Sequence, residues 1–169
     1  VYAEKRGYVM VDKNVYDIAE CYGIPKKEAK RLVRDFNESA AIGYLPPLRD
    51  AIHYVKKIHE ELGYVFHCVT SMTLDRHANK LREQNLSNLF GETAFEKVQC
   101  LDTGADKDDA LLPYLDSGCM WVEDKIKNAE LGDRLGLSAV LIQHDHQDDY
   151  TNDAIPAVES WKEIYEMLS

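Results

Sequence analysis

The chain has 169 residues, enough to bury one hydrophobic core and too few for two domains of ordinary size. Its 30 acidic residues outnumber 20 basic ones, for a formal charge of -10, a balance that repels phosphate backbones and argues against a nucleic-acid polymer as partner. No apolar stretch reaches membrane-spanning length and no secretory leader pattern opens the sequence, so a soluble, cytoplasmic protein with no membrane partner is expected.

In chain order, residues 1–45 read as a small helical lobe. Tyr8, Val9, Met10 and Val11 form an apolar run that ends in Asp12, Lys13 and Asn14. Helical spacing follows over 15–22 and 26–36, the second helix opened by Pro25 in the favoured first-turn position. Pro46 and Pro47 then break the chain, and 48–62 carries Ala51, Ile52, Val55 and Ile58 on one helical face. The remainder, 46–169, is expected to be an α/β core. Short apolar runs at 65–69, 97–101, 119–122 and 139–142 alternate with amphipathic stretches at 74–90, 106–115 and 125–135, the signature of strand-helix units around a parallel sheet with flanking helices. Gly136 stands where the third of these helices needs a C-cap, and 156–168 makes a closing helix. Cys21, Cys68, Cys100 and Cys119 show no CxxC spacing and read as small buried hydrophobes in a reducing compartment.

Three polar segments follow expected strand ends, where ligands bind in open α/β sheets. Thr70 and Ser71 offer hydroxyls at a strand-to-helix turn, to hold an anionic oxygen or to cap the next helix. Lys107 lies in the loop 102–107, either reaching a phosphate as a point charge or staying solvated. Glu123 and Asp124 are adjacent carboxylates, a pairing that suits a hard cation such as Mg²⁺ or an exposed acidic turn. An acidic chain that takes a phosphate ester needs such a cation or donor cluster to reverse the sign of its site.

A hydroxyl turn, a lysine and an acidic pair on successive strand ends resemble motifs two, three and four of the haloacid-dehalogenase superfamily. The residues are Val69-Thr70-Ser71, Lys107 and Trp121-Val122-Glu123-Asp124, followed by Asn128 and Leu135-Gly136-Leu137. The match spans about residues 46 to 145, and with its helical lobe the chain is most similar to the deoxyribonucleotidase group, whose cap sits between motifs one and two. The resemblance implies a Rossmann-like core with an N-terminal helical cap, and a Mg²⁺-dependent phosphomonoester hydrolase acting on a small phosphorylated substrate such as a nucleoside monophosphate. Thr70, Ser71 and Lys107 would bind the phosphoryl group, Lys107 would also stabilise the catalytic nucleophile, and Asp124, aided by Glu123, would hold the metal. Phe36 and Tyr44, near the lobe's exit, would line a base pocket or simply pack.

Motif one should read as an apolar run and then Asp-x-Asp-Gly, and no such string occurs. The run at 8–11 supplies Asp12 but places Asn14 where the acid/base aspartate belongs, and an amide exchanges no proton at neutral pH. Two expectations follow: Asp12 is the nucleophile, or the sequence, which opens on Val1, starts downstream of motif one and lacks the middle strand of its sheet. The second leaves an open apolar slot with unpaired ladder groups, which the 8–11 run is the leading segment to fill. A separate expectation is a non-catalytic relative that lost the nucleophile but kept Thr70, Lys107 and Asp124 and binds phosphate or a partner. Finally, His144, Asp145 and His146, with Asp148 and Asp149, form a polar segment that places two imidazoles on one side of an extended chain, as a metal site or a plain loop would.

Overall fold

The computed structural model describes residues 2–13, 15, 17–143, 152 and 154–169. In the lobe, a 3₁₀ turn at Glu4–Arg6 precedes α1 (Ile18–Cys21) and α2 (Lys26–Asn37), and a second 3₁₀ turn spans Ala40–Tyr44. Asp17 starts α1 by accepting the amides of Ala19 and Glu20 at 2.7 and 3.2 Å. Pro25 takes the N-cap of α2, one place ahead of the expected first turn. The 8–11 run forms no strand. The amides of Val11 and Asp12 instead donate to the Cys21 carbonyl at 2.8 and 3.2 Å, so the run closes the end of α1, with Val9 74% and Val11 67% exposed.

Beyond Pro47 the order is α3 (Ala51–Leu62), β1 (Phe66–Ser71), α4 (Arg76–Phe90), β2 (Phe95–Leu101), α5 (Asp108–Leu111), β3 (Met120–Glu123), α6 (Ile126–Arg134), β4 (Ser138–Ile142), β5 (Ala157–Val158) and α7 (Trp161–Leu168). The expected helix over 106–115 is cut to α5 and a 3₁₀ turn at Leu112–Tyr114, because Pro113 has no N–H to continue the ladder. The closing helix starts five residues later than expected, after a strand that the sequence reading missed. Its start is fixed by caps: Ser160 accepts the Glu163 amide, and Asp50, from the head of α3, accepts the amides of Trp161 and Lys162 at 3.1 and 3.0 Å. The Asp50 cap also ties the last helix to the first helix of the core.

The protein is mixed α/β, but its described strands form two small parallel sheets where one was expected. β1 pairs with β2, Thr70 lying opposite Cys100 and Ser71 opposite Leu101. β3 pairs with β4, Glu123 opposite Leu141, and β4 pairs with β5. Among the described residues nothing joins β1 to β3. The two strands nevertheless share packing on both faces. Val69 of β1 and Trp121 of β3 lie in one cluster with Leu111, Ala129 and Leu141, while Phe66 of β1 and Val122 of β3 meet around Ile58, Val140 and Ile164. Helices thus bridge two sheet edges that do not hydrogen-bond. The burial pattern agrees: β4, paired on both sides, buries four of its five residues, whereas β1 buries only Val69.

The lobe is seated by Ile42, which is buried against Met72 and Ala78 with Phe36 and Leu81 around it. No helix among the described residues is long and apolar enough to cross a membrane. One close approach in the core is testable. A Cβ on Gly132 of α6 would lie 2.3 Å from the Trp121 indole, whose N–H donates to the Asn128 carbonyl at 3.0 Å. The ring cannot yield without losing that bond, so Gly132→Ala is expected to lower the unfolding free energy by about 2 kcal/mol despite alanine's better helix propensity. Urea unfolding followed by tryptophan fluorescence measures it.

Candidate functional site

The carboxyl end of β1 is stapled to the loop that leaves β2. The Ser71 hydroxyl donates to the Ala105 carbonyl at 2.7 Å. One turn residue further on, the Met72 carbonyl accepts both the Thr103 hydroxyl and the Asn37 side-chain amide. Ser71→Ala is expected to remove one net hydrogen bond, about 1 kcal/mol, and to raise hydrogen exchange in the loop 102–107.

That loop delivers Lys107 to the head of α5, where its ammonium makes an ion pair with Glu123, the last residue of β3. Lys107 follows β2 and Glu123 ends β3, so the pair spans the two sheets and places their carboxyl ends on the same side of the molecule. Both side chains are nearly sealed from water, at 12% and 5% exposure, and the ammonium stands 5.2 Å from the centre of the Trp121 ring. Asn128 donates to the same carboxylate at 3.2 Å, and the Asp124 amide donates to its other oxygen at 3.2 Å. Burial raises the Glu123 pKa and the Lys107 ammonium lowers it, with burial the larger effect, so its proton is held more tightly than an ordinary glutamate's.

These contacts sort the expected residues. Thr70 and Ser71, expected in a turn, are the last two residues of β1; Ser71 is bonded to the loop that carries Lys107, and Lys107 pairs with Glu123. Glu123 is turned inward and engaged by Lys107 and Asn128, which makes it a positioning residue for the lysine. An ammonium has three donors, so Lys107 keeps donors for an anion while holding Glu123. Among the described residues no group of three or more carboxylate, histidine or cysteine side chains forms a metal cluster. Asp124, half-buried, directly follows Glu123 at the end of β3.

Other expectations resolve differently. Asp12 lies exposed on the lobe, its amide bonded to the Cys21 carbonyl at the end of α1. Asn14 and the 144–149 segment with His144 and His146 fall outside the described residues. Phe36 packs edge-on against Tyr2 with ring centres 4.9 Å apart, and Tyr44 is 84% exposed. Of the cysteines, all free, Cys21 is buried, Cys68 and Cys100 partly so, and Cys119 is exposed, lying just before β3 and not within it. Sequence reasoning missed the contacts that dock α2 on the site's rim. Arg34 pairs with Asp102 at 3.2 Å, and the deeply buried Thr73 hydroxyl donates to Glu38 at 3.1 Å. Nothing in their spacing signals a contact between segments so far apart.

No family model matches the chain, and no curated protein or solved structure does so either.

Proposed function

We propose that this chain carries the phosphate- and Mg²⁺-binding part of a haloacid-dehalogenase-type phosphomonoester hydrolase, with a Rossmann-like core, a helical cap and a small phosphorylated substrate such as a nucleoside monophosphate. The observation that supports it is the buried Lys107–Glu123 pair, which bridges the carboxyl ends of two parallel sheets beside Thr70, Ser71 and Asp124. A cation so held keeps its position without substrate, which suits electrostatic stabilisation of a transferring phosphoryl group. Thr70 and Ser71 would donate to the phosphoryl oxygens, Lys107 would neutralise their charge, and Asp124 would hold the metal with its waters. Bound Mg²⁺ would offset the charge of an ester in a chain of formal charge -10. Four free cysteines suit the cytoplasm.

The position of Asp12 favours a second reading, binding without turnover, since the run before it forms no strand and Asp12 lies exposed on the lobe. Phosphate release from a panel of phosphomonoesters, with Mg²⁺ or with EDTA, separates the two. Release that requires Mg²⁺ and is lost in Asp124→Asn supports the hydrolase. Binding of the same esters without release supports the second reading, and neither binding nor release would sink both.

A further inference from the structure

Two features of this chain complement one another. β1 and β3 are edges of two parallel sheets that pack into the same hydrophobic clusters, and among the described residues no backbone group pairs with the free edge of either. Unpaired strand edges seek a strand, and one that enters between two parallel neighbours is buried on both faces, which favours a continuous apolar run over an alternating one. The lobe displays such a run. Val9, Met10 and Val11 are consecutive, exposed by 74%, 43% and 67%, and Tyr8 to Val11 matches the four-residue length of β3. Three consecutive exposed apolar residues on an acidic surface are anomalous for a chain that stays alone. Within one copy the run is anchored in the lobe, by the Val11 and Asp12 amides on Cys21 and by the Tyr8 hydroxyl, which donates to Glu28 at 2.9 Å.

We propose that the Tyr8 to Val11 run of a second copy adds as a strand between β1 and β3, parallel to both, so that the chain self-associates by strand exchange. The contact is head-to-tail, a run on one copy and a gap on the other, so it closes in a reciprocal dimer or propagates. Parallel entry sets Asp12, the residue after the run, at the carboxyl ends of β1 and β3 beside Lys107. This last step alone rests on the phosphoryl-site reading, and it makes the site complete only in the assembly. The pairing itself stands on the gap and the run.

The test is sedimentation velocity across the micromolar range, without substrate or magnesium, combined with hydrogen exchange of the β1 and β3 amides. Wild type is expected to associate as concentration rises, with exchange at β1 and β3 slowing in step. Val9→Lys with Val11→Lys changes only exposed positions, and it is expected to weaken association tenfold or more (about one decade in Kd) and abolish the slowing while leaving the circular dichroism spectrum unchanged. A peptide of residues 7–13, added in excess to that variant, is expected to restore protection at β1 and β3. A chain that stays monomeric throughout, association without protection of β1 and β3, protection already present in the monomer, a double-lysine variant that associates as wild type does, or a peptide that leaves β1 and β3 unprotected would overturn the proposal. Because no step uses phosphate or metal, failure of the phosphoryl-site reading leaves these results untouched.

Discussion

Lys107→Met should lower the unfolding free energy by about 3 kcal/mol near neutral pH, since removing one partner of a buried ion pair strands the other charge. The stranded group is Glu123, 6% exposed, with Asn128 and the backbone of Asp124 and Lys125 left to hydrogen-bond its carboxylate. The pH dependence carries a definite sign. Burial already raises the Glu123 pKa in the folded protein, so its contribution to stability is fully present below the ordinary glutamate value and is lost as pH rises through the raised one. The ammonium limits that rise, and without it the folded value climbs further. The variant's deficit is therefore largest above both values and shrinks as pH falls toward the ordinary glutamate range and Glu123 takes up its proton. Urea unfolding at about pH 8 and about pH 5 measures it. A deficit equal at both, or growing on acidification, would mean that Lys107 does not control the charge of Glu123.

Asp124→Asn tests the chemistry. The amide keeps the size of the side chain and one oxygen but removes the charge that a hard cation needs. Affinity for a phosphomonoester in the presence of Mg²⁺ is expected to fall about 100-fold, roughly 2.7 kcal/mol, to the level of wild type in EDTA. Adding Mg²⁺ to the variant should then have no effect. Calorimetric titration of both proteins, with urea unfolding as a control for structural damage, measures it. Undiminished magnesium enhancement in the variant would remove Asp124 from the metal site.

The legible parts of this chain were those set by local periodicity. The apolar runs around Val69, Val98, Trp121 and Val140 became β1 to β4, and the stretches between them became helices, because burial of a continuous run and of one helical face both follow from spacing. Two of the failures share one cause, competition from distant groups. The Tyr8 to Val11 run reads as a strand, but its fate was decided by the Cys21 carbonyl, which captured its amides. Residues 157 and 158 read as helix, but the edge of β4 and the Asp50 cap on α7 fixed them as strand and the helix start at 161.

The candidate site was legible in the same sense. Lys107 and Asp124 lie past strand ends as their spacing implies, whereas Thr70 and Ser71, read as a turn after the strand, are its last two residues because they pair with Cys100 and Leu101 of β2. What spacing does not carry is which carboxylate faces in: Glu123 and Asp124 look alike in the sequence, and only the alternation of β3 turns Glu123 to Lys107 and the core. The docking of α2 through Arg34 and Glu38 is invisible for the same reason, since both are helix-surface charges until a partner arrives from another segment.

The most direct measurement is calorimetric binding of a nucleoside monophosphate to the wild-type chain, in Mg²⁺ and again in EDTA, beside Thr70→Val. Saturable binding is expected that needs Mg²⁺ and weakens about tenfold when the Thr70 hydroxyl is removed, the loss of one charge-assisted hydrogen bond. Binding that is equal in EDTA and indifferent to Thr70, or no binding at all, would contradict a phosphate site at the ends of β1 and β3.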